Sequence, residues 1–404
     1  MKNQRNTLFT TTDGHNYLWP FVLVTTLFFL WGFAHSILDV LNKHFQETMN
    51  IGKTESALVQ AVVYGGYFLM ALPAGQIIKR FGYRQGVITG LLLYGIGALL
   101  FIPGGQLLSF PFFLFSLFVI GCGLTCLETA ANPYVTVLGN AEGAARRINL
   151  SQSFNGLGWI VGPLVGGHFA FAASSNQGSI AVPYAIIGIV VLCVALIFMR
   201  VKLPEVESID TTANPANHQS ATALWQHRNF VLGMVALFMY VAAQTGINSF
   251  FINYVTENAG VSNVNASLLL GFGGMGLFMA GRMGGSWLMS RIKAERVLLY
   301  CAIGAILSMS VLLSGAGTLG IIAFFICYLC ESIMFPTIFA LSLRGVGTHT
   351  KFASSLLIMC IVGGAIAPVL MGLIADSINM AIAFIIPLIC FVVIAIYAAL
   401  LKKA

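Results

Sequence analysis

Three carboxylates stand inside long apolar runs of this 404-residue chain: Asp39, Glu128 and Glu331. An ionised carboxylate in hydrocarbon costs roughly 2.5 kcal/mol or more even on lenient insertion scales, so such a residue faces a cavity or a partner. Removing water from a carboxyl favours its protonated form, and a group whose access to water alternates can take up and give off a proton. That is the chemistry a proton-coupled carrier requires. The competing role for each is a neutral acid that hydrogen-bonds one helix to another.

Helical spacing supplies these carboxylates with neighbours, because residues four apart share a face. Trp31, His35 and Asp39 form one stripe, and Glu128 and Asn132 a second. Gln152, Asn155 and Trp159 form a third, and Tyr240, Gln244 and Asn248 a fourth. A cavity lined by amides, carboxylates and a few aromatic rings suits a neutral polyol or sugar, with paired donors and acceptors for hydroxyls and flat apolar surfaces for C–H faces. Against this stand plainer roles: interhelical hydrogen bonds for the amides, packing for the tryptophans, and a partner of Asp39 for His35.

Motifs for other chemistry do not hold up. Gly271-Phe-Gly-Gly-Met-Gly276 satisfies a dinucleotide-loop pattern but sits in an apolar run with no strand before it, so it reads as close helix packing. Gly52-Lys53-Thr54 lacks the earlier glycine of a phosphate loop, and Cys327-x-x-Cys330 lies at lipid depth. No zincin or nucleophile-elbow motif occurs. Neither an enzyme, a catalytic residue, a metal site nor a cofactor is expected.

The elements that must position these residues follow from composition. Apolar residues make up 58% of the chain and charged ones 8%, with a mean hydropathy of +0.89, which excludes a soluble globular protein. Crossing a hydrocarbon core about 30 Å thick takes roughly 20 helical residues. Apolar runs fall at 18–42, 57–78, 86–103, 111–139, 145–171 and 181–200, then at 229–255, 264–290, 296–314, 318–344, 351–375 and 380–401. The expected fold is therefore all-α and integral to the membrane, with twelve transmembrane helices. The polar stretch between the two sets of six is too short to form an ATP-hydrolysing domain, so work must come from gradients.

Of the 20 Lys and Arg, all but Lys43 and Lys53 fall in segments that are cytoplasmic if the amino terminus is. That asymmetry predicts both termini inside and explains the formal charge of +7 without nucleic acid. All eight cysteines lie in apolar runs, so no disulfide scaffold is expected, and the first span reads as uncleaved. The segment 201–228, with Pro204, Glu205, Glu207, Asp210 and Pro215, reads as a cytoplasmic linker between bundles at 1–200 and 229–404. The halves form a weak repeat: Glu128 stands five residues before Pro133 as Glu331 stands five before Pro336, and Pro163 matches Pro368.

Several stretches resemble the fucose permease branch of the major facilitator superfamily, the fucose–galactose–glucose:proton symporters. They are Phe29-Leu-Trp-Gly-Phe-Ala34 with Asp39, Gly65-Gly-Tyr-Phe68, Pro73-Ala-Gly75, Cys126-Leu-Glu-Thr-Ala-Ala-Asn-Pro-Tyr134, Asn149-Leu-Ser-Gln-Ser-Phe-Asn155, Ala243-Gln-Thr245 and Phe335-Pro-Thr-Ile-Phe339. The resemblance implies a twelve-helix fold in which Asp39 serves proton coupling, Glu128 serves sugar binding and protonation, and Gln152 and Asn155 lie near the cavity. His35-Ser36 replaces two asparagines of that permease and Glu331 an uncharged residue, which opens the substrate to another hexose, a deoxyhexose or an amino sugar.

The expectation is a bacterial cytoplasmic-membrane carrier, monomeric in the lipid bilayer, that imports a monosaccharide with a proton by alternating access. Proton coupling falls to Asp39 and Glu128. Substrate contact falls to His35, Glu128, Asn132, Gln152, Asn155, Trp159, Gln244, Asn248 and Glu331, and a cytoplasmic gate to Arg80, Arg84, Arg282 and Arg291. A uniporter or a proton-coupled exporter of the same fold is the alternative.

Overall fold

The computed structural model describes residues 9, 16–138, 144–171, 181–201, 222–289, 291–344 and 350–403. The linker expected at 201–228 lies largely outside them.

The helices run in chain order as α1 (Leu18–Met49), α2 (Lys53–Leu99), α3 (Phe101–Leu107), α4 (Phe110–Val137), α5 (Ala144–Phe171) and α6 (Ala181–Arg200), then α7 (Thr222–Gln226), α8 (Arg228–Ala259) and α9 (Asn263–Leu268). After a π-helical stretch at Leu269–Met275 come α10 (Gly276–Met289), α11 (Ala294–Leu313), α12 (Gly317–Glu331), α13 (Met334–Ser342), α14 (Thr350–Met359), α15 (Gly363–Ser377), α16 (Met380–Ala383) and α17 (Ile385–Lys403). Among the described residues, eleven stretches are long and apolar enough to cross a membrane. The twelfth expected span is α5, equal to α4 in length but made less apolar by Gln152, Asn155, His168 and its glycines.

Where runs and helices disagree, backbone chemistry gives the reason. The second and third runs form one continuous helix, α2, broken in direction at Gly82, whose φ of 83° is a left-handed value that a side chain resists. The run 318–344 divides instead into α12 and α13. Pro336 has no N–H to offer the Ser332 carbonyl four residues back, and Arg282 Nε takes that carbonyl at 3.4 Å. The neighbouring Glu331 carbonyl accepts from the Tyr240 hydroxyl at 3.0 Å.

The chain forms two compact units. One comprises 1–37, 65–162 and 175–216, the other 38–64, 163–174 and 217–404. In the first, α1 and α5 meet through Gly32, Gly158 and Gly162; a methyl group at Gly158 would strike the Phe29 carbonyl and the Phe33 amide. Thr25 and Ser151 join the same helices at 2.9 Å. In the second unit a methyl group at Gly363 would strike the Phe238 carbonyl in the same manner, packing α15 on α8. A helix-interior proline follows five residues after each of these glycines, Pro163 and Pro368. The repeat inferred from the sequence is thus a repeated packing device: a small residue lets backbones touch without a side chain between them.

The second unit carries polar ties at one end of its helices. Asp376 of α15 accepts from the Lys53 and Thr54 backbone N–H groups at 2.9 and 2.8 Å and from the Thr54 hydroxyl at 2.7 Å. Lys53 pairs with Glu257 at 3.0 Å, and Asn263 donates to both Glu47 oxygens. Asn253 donates to Gln46 at 2.6 Å, and Asn42 to the Ser249 carbonyl at 2.6 Å. The Lys53 and Thr54 amides are therefore held by a carboxylate of the chain itself, an anion at a helix N-terminus.

Candidate functional site

In the first unit the site is built on Tyr67. Its hydroxyl is hydrogen-bonded to His35 Nε2 at 2.9 Å and to the Glu128 carboxyl. Three helices supply these groups: α1 brings His35, α2 Tyr67 and α4 Glu128. The Trp159 indole of α5 lies parallel to the His35 imidazole, with centroids 6.0 Å apart and planes 8° from parallel. Beside them Gln152 Nε2 donates to Asn132 Oδ1 at 3.4 Å. Glu128, Asn132, Gln152 and Trp159 are all part-exposed, so the cluster has open surface next to a chain of donors and acceptors. A carboxyl, an imidazole, two amides and an indole face in one small region can pair with the hydroxyls of a sugar and lie against its C–H face.

Asn155 bonds to the backbone of α1. Its amide donates to the Phe28 carbonyl at 3.1 Å and it is 8% exposed, which ties α5 to α1. Trp31 packs on Phe28 with centroids 4.2 Å apart.

In the second unit Asp39 is buried and accepts from Gln60 Nε2 at 2.9 Å. Thr245 donates to the Tyr64 hydroxyl at 3.3 Å, and Gly364 packs against both residues. Gln244 is half-buried, whereas Asn248 is 2% exposed with its Oδ1 unpartnered among the described residues. Glu331 is fully buried at the end of α12, and neither carboxyl oxygen has a hydrogen-bond partner among the described residues.

The four arginines assigned to a gate make no ion pair among the described residues. Arg84 donates to the Phe198 and Met199 carbonyls at 3.2 and 2.5 Å, binding α2 to the end of α6. Arg80, Arg282 and Arg291 lie over the rings of Phe81, Phe278 and Trp287 at 5.3, 5.0 and 4.8 Å.

Two residues of the candidate site escaped the sequence reading. Gln60 and Tyr67 bond to Asp39 and Glu128, and with Tyr64 they occupy positions 60, 64 and 67 of α2. That i, i+4, i+7 spacing of polar groups in an apolar run is the signal that could have found them.

Buried acids and amides inside a bundle of membrane-length helices define a polytopic carrier. The family model described as Major Facilitator Superfamily matches residues 21–361, and the chain belongs to that superfamily. It is 36% identical over 402 residues to the glucose/galactose transporter of Brucella abortus (strain 2308), covering 98% of this chain and 97% of the relative. It is 36% identical over 412 residues to the L-fucose-proton symporter of Escherichia coli (strain K12), covering 96% and 94%. The crystal structure of the major facilitator transporter FucP in the outward conformation superposes with a TM-score of 0.70 at 36% identity, covering 96% of this chain and all of that one.

Proposed function

We propose that the chain imports a monosaccharide together with a proton, by alternating access, across a bacterial cytoplasmic membrane. The observation that carries this reading is the Tyr67 hydroxyl joining His35 to Glu128 beside the Trp159 ring. A carboxyl within that network bonds differently when neutral and when charged: it donates one hydrogen bond when protonated and only accepts when ionised. Protonation of Glu128 therefore changes which sugar hydroxyls the cluster can serve, and this links proton binding to sugar binding at one residue. Asp39, one turn from His35 on α1 and held by Gln60, is the second coupling carboxyl.

His35, Asn132, Gln152 and Trp159 form the sugar contacts with Glu128 in the first unit. Asn155 acts by fixing α5 against α1 so that Gln152 and Trp159, on the same helix, keep their register. The two relatives, named for glucose/galactose and for L-fucose, support a hexose or deoxyhexose as substrate. Both termini lie in the cytoplasm, the halves 1–200 and 229–404 are the two bundles, and the carrier works as a monomer. Arg80, Arg84, Arg282 and Arg291 cluster toward the cytoplasmic ends of their spans, where their ring and carbonyl contacts steady the inner gate.

Purified protein in liposomes tests this reading. With the outside made more acid than the inside, labelled sugar should accumulate above its external concentration, and a protonophore should abolish the accumulation. Exchange of sugar without accumulation would make the protein a uniporter, and sugar driven against the inward proton gradient would make it an exporter.

A further inference from the structure

We infer that Glu331 is a proton-binding site in the second unit, holding a proton in this conformation and releasing it in another. The inference rests on the proton-coupled reading above. Glu331 has no solvent exposure, and neither Oε1 nor Oε2 has a hydrogen-bond partner among the described residues. A charged carboxylate in that position would forfeit its hydration with nothing in return, a penalty of several kcal/mol, so the group present is the neutral acid. A permanently neutral acid would be a poor packing element, since an apolar side chain of the same volume fills such a site as well or better. The residue is useful there only if its charge returns.

The surroundings are arranged for that return. Tyr328, one turn earlier on the same helix, has a buried hydroxyl that is unpartnered among the described residues, and it lies within electrostatic reach of both Glu331 and Asp39. Tyr240 of α8 is bonded to the Glu331 carbonyl, and Arg282 of α10 to the carbonyl of Ser332. Thiols also lie close among the described residues: Cys327 and Cys330 of α12, the latter facing Cys301 of α11. A small rotation at the α12–α13 break would bring an ionised Glu331 an O–H donor from Tyr328. The step balances as loss of one proton from the carboxyl to water, leaving a carboxylate.

The experiment compares wild-type protein with Glu331→Gln in liposomes whose membrane potential is clamped and whose exterior is one pH unit more acid. Each coupled proton multiplies steady-state accumulation about tenfold per pH unit. Glu331→Gln should therefore lower accumulation about tenfold while sugar exchange persists. Unchanged accumulation overturns the inference, and so does loss of exchange, which would assign Glu331 to sugar recognition. Should the Gln variant fail to fold, Glu331→Asp decides: accumulation must track the retained acid, and a tenfold loss there overturns the inference. Infrared absorption of the proteins, without sugar, is the second readout. The wild-type minus Glu331→Gln difference spectrum should show a protonated-carboxyl C=O component that is lost as pH rises; no such component, or one that never titrates, overturns the inference. A wild type that exchanges sugar but does not accumulate it defeats the symport reading itself, and the infrared comparison still decides Glu331.

Discussion

Removing the Asp376 carboxylate should loosen the amino-terminal turn of α2 by a measurable amount. That carboxylate accepts three hydrogen bonds, from the Lys53 and Thr54 N–H groups and the Thr54 hydroxyl. Hydrogen bonds to a charged group are worth about 1.5–3 kcal/mol when buried, and a carboxylate at a helix N-terminus about 0.3–1 kcal/mol. Asp376 is solvent-exposed, and exposed ionic contacts are worth only about 0–1 kcal/mol, so the sum for Asp376→Ala is about 1–2 kcal/mol, or about 5–30-fold in an opening equilibrium. Gly372, one turn before Asp376, packs on the Lys53 and Thr54 backbone and survives the substitution, which keeps the loss local. Amide hydrogen exchange is the assay. Protection at Lys53 and Thr54 should fall by that factor, less in Asp376→Asn, which keeps one acceptor oxygen, while the centre of α8 is unaffected. Unchanged exchange at those amides would refute the argument, as would equal loosening of α8.

Other outcomes follow from the same geometry. Glu128→Gln and Asp39→Asn should each cut proton-driven accumulation by about tenfold at a one-unit pH gradient, measured with labelled sugar; retained accumulation in both contradicts their role in coupling. Tyr67→Phe strips one hydrogen-bond partner from both His35 and Glu128 at a cost of about 1–3 kcal/mol, which should weaken sugar exchange about 5–150-fold. Gly158→Val drives a side chain into the Phe29 carbonyl and Phe33 amide, and thermal unfolding of the purified protein should show a loss of about 1–3 kcal/mol.

Much of the architecture was legible because a membrane permits few solutions. Eleven of the twelve apolar runs became stretches long and apolar enough to cross a membrane among the described residues, the twelfth being the less apolar α5, and the glycine-rich stretch at 271–276 proved to be packing, with Gly273 against the Phe325 ring and Gly274 against Tyr328. Its π-helical path was not legible, since periodicity does not separate α from π over one turn. Glu128 and His35 were found because charged and ionisable groups at lipid depth are conspicuous. Tyr67, which connects them, was not, because a tyrosine in an apolar run looks like packing until its partners are known. The Asp376 tie was invisible for another reason: its two members are 322 residues apart, and an acid at the end of a span reads as a solvated terminus. The division of one run into α12 and α13 was written in Pro336, but which groups would claim the freed carbonyls depended on α8 and α10.

The most direct test of sugar–proton symport is an external pH trace. De-energised, lightly buffered cells expressing the protein receive hexoses, deoxyhexoses and N-acetylhexosamines one at a time. Symport predicts prompt alkalinisation of the medium with at least one of them, abolished by a protonophore. Entry of a labelled sugar from the same panel with no change in external pH would contradict it.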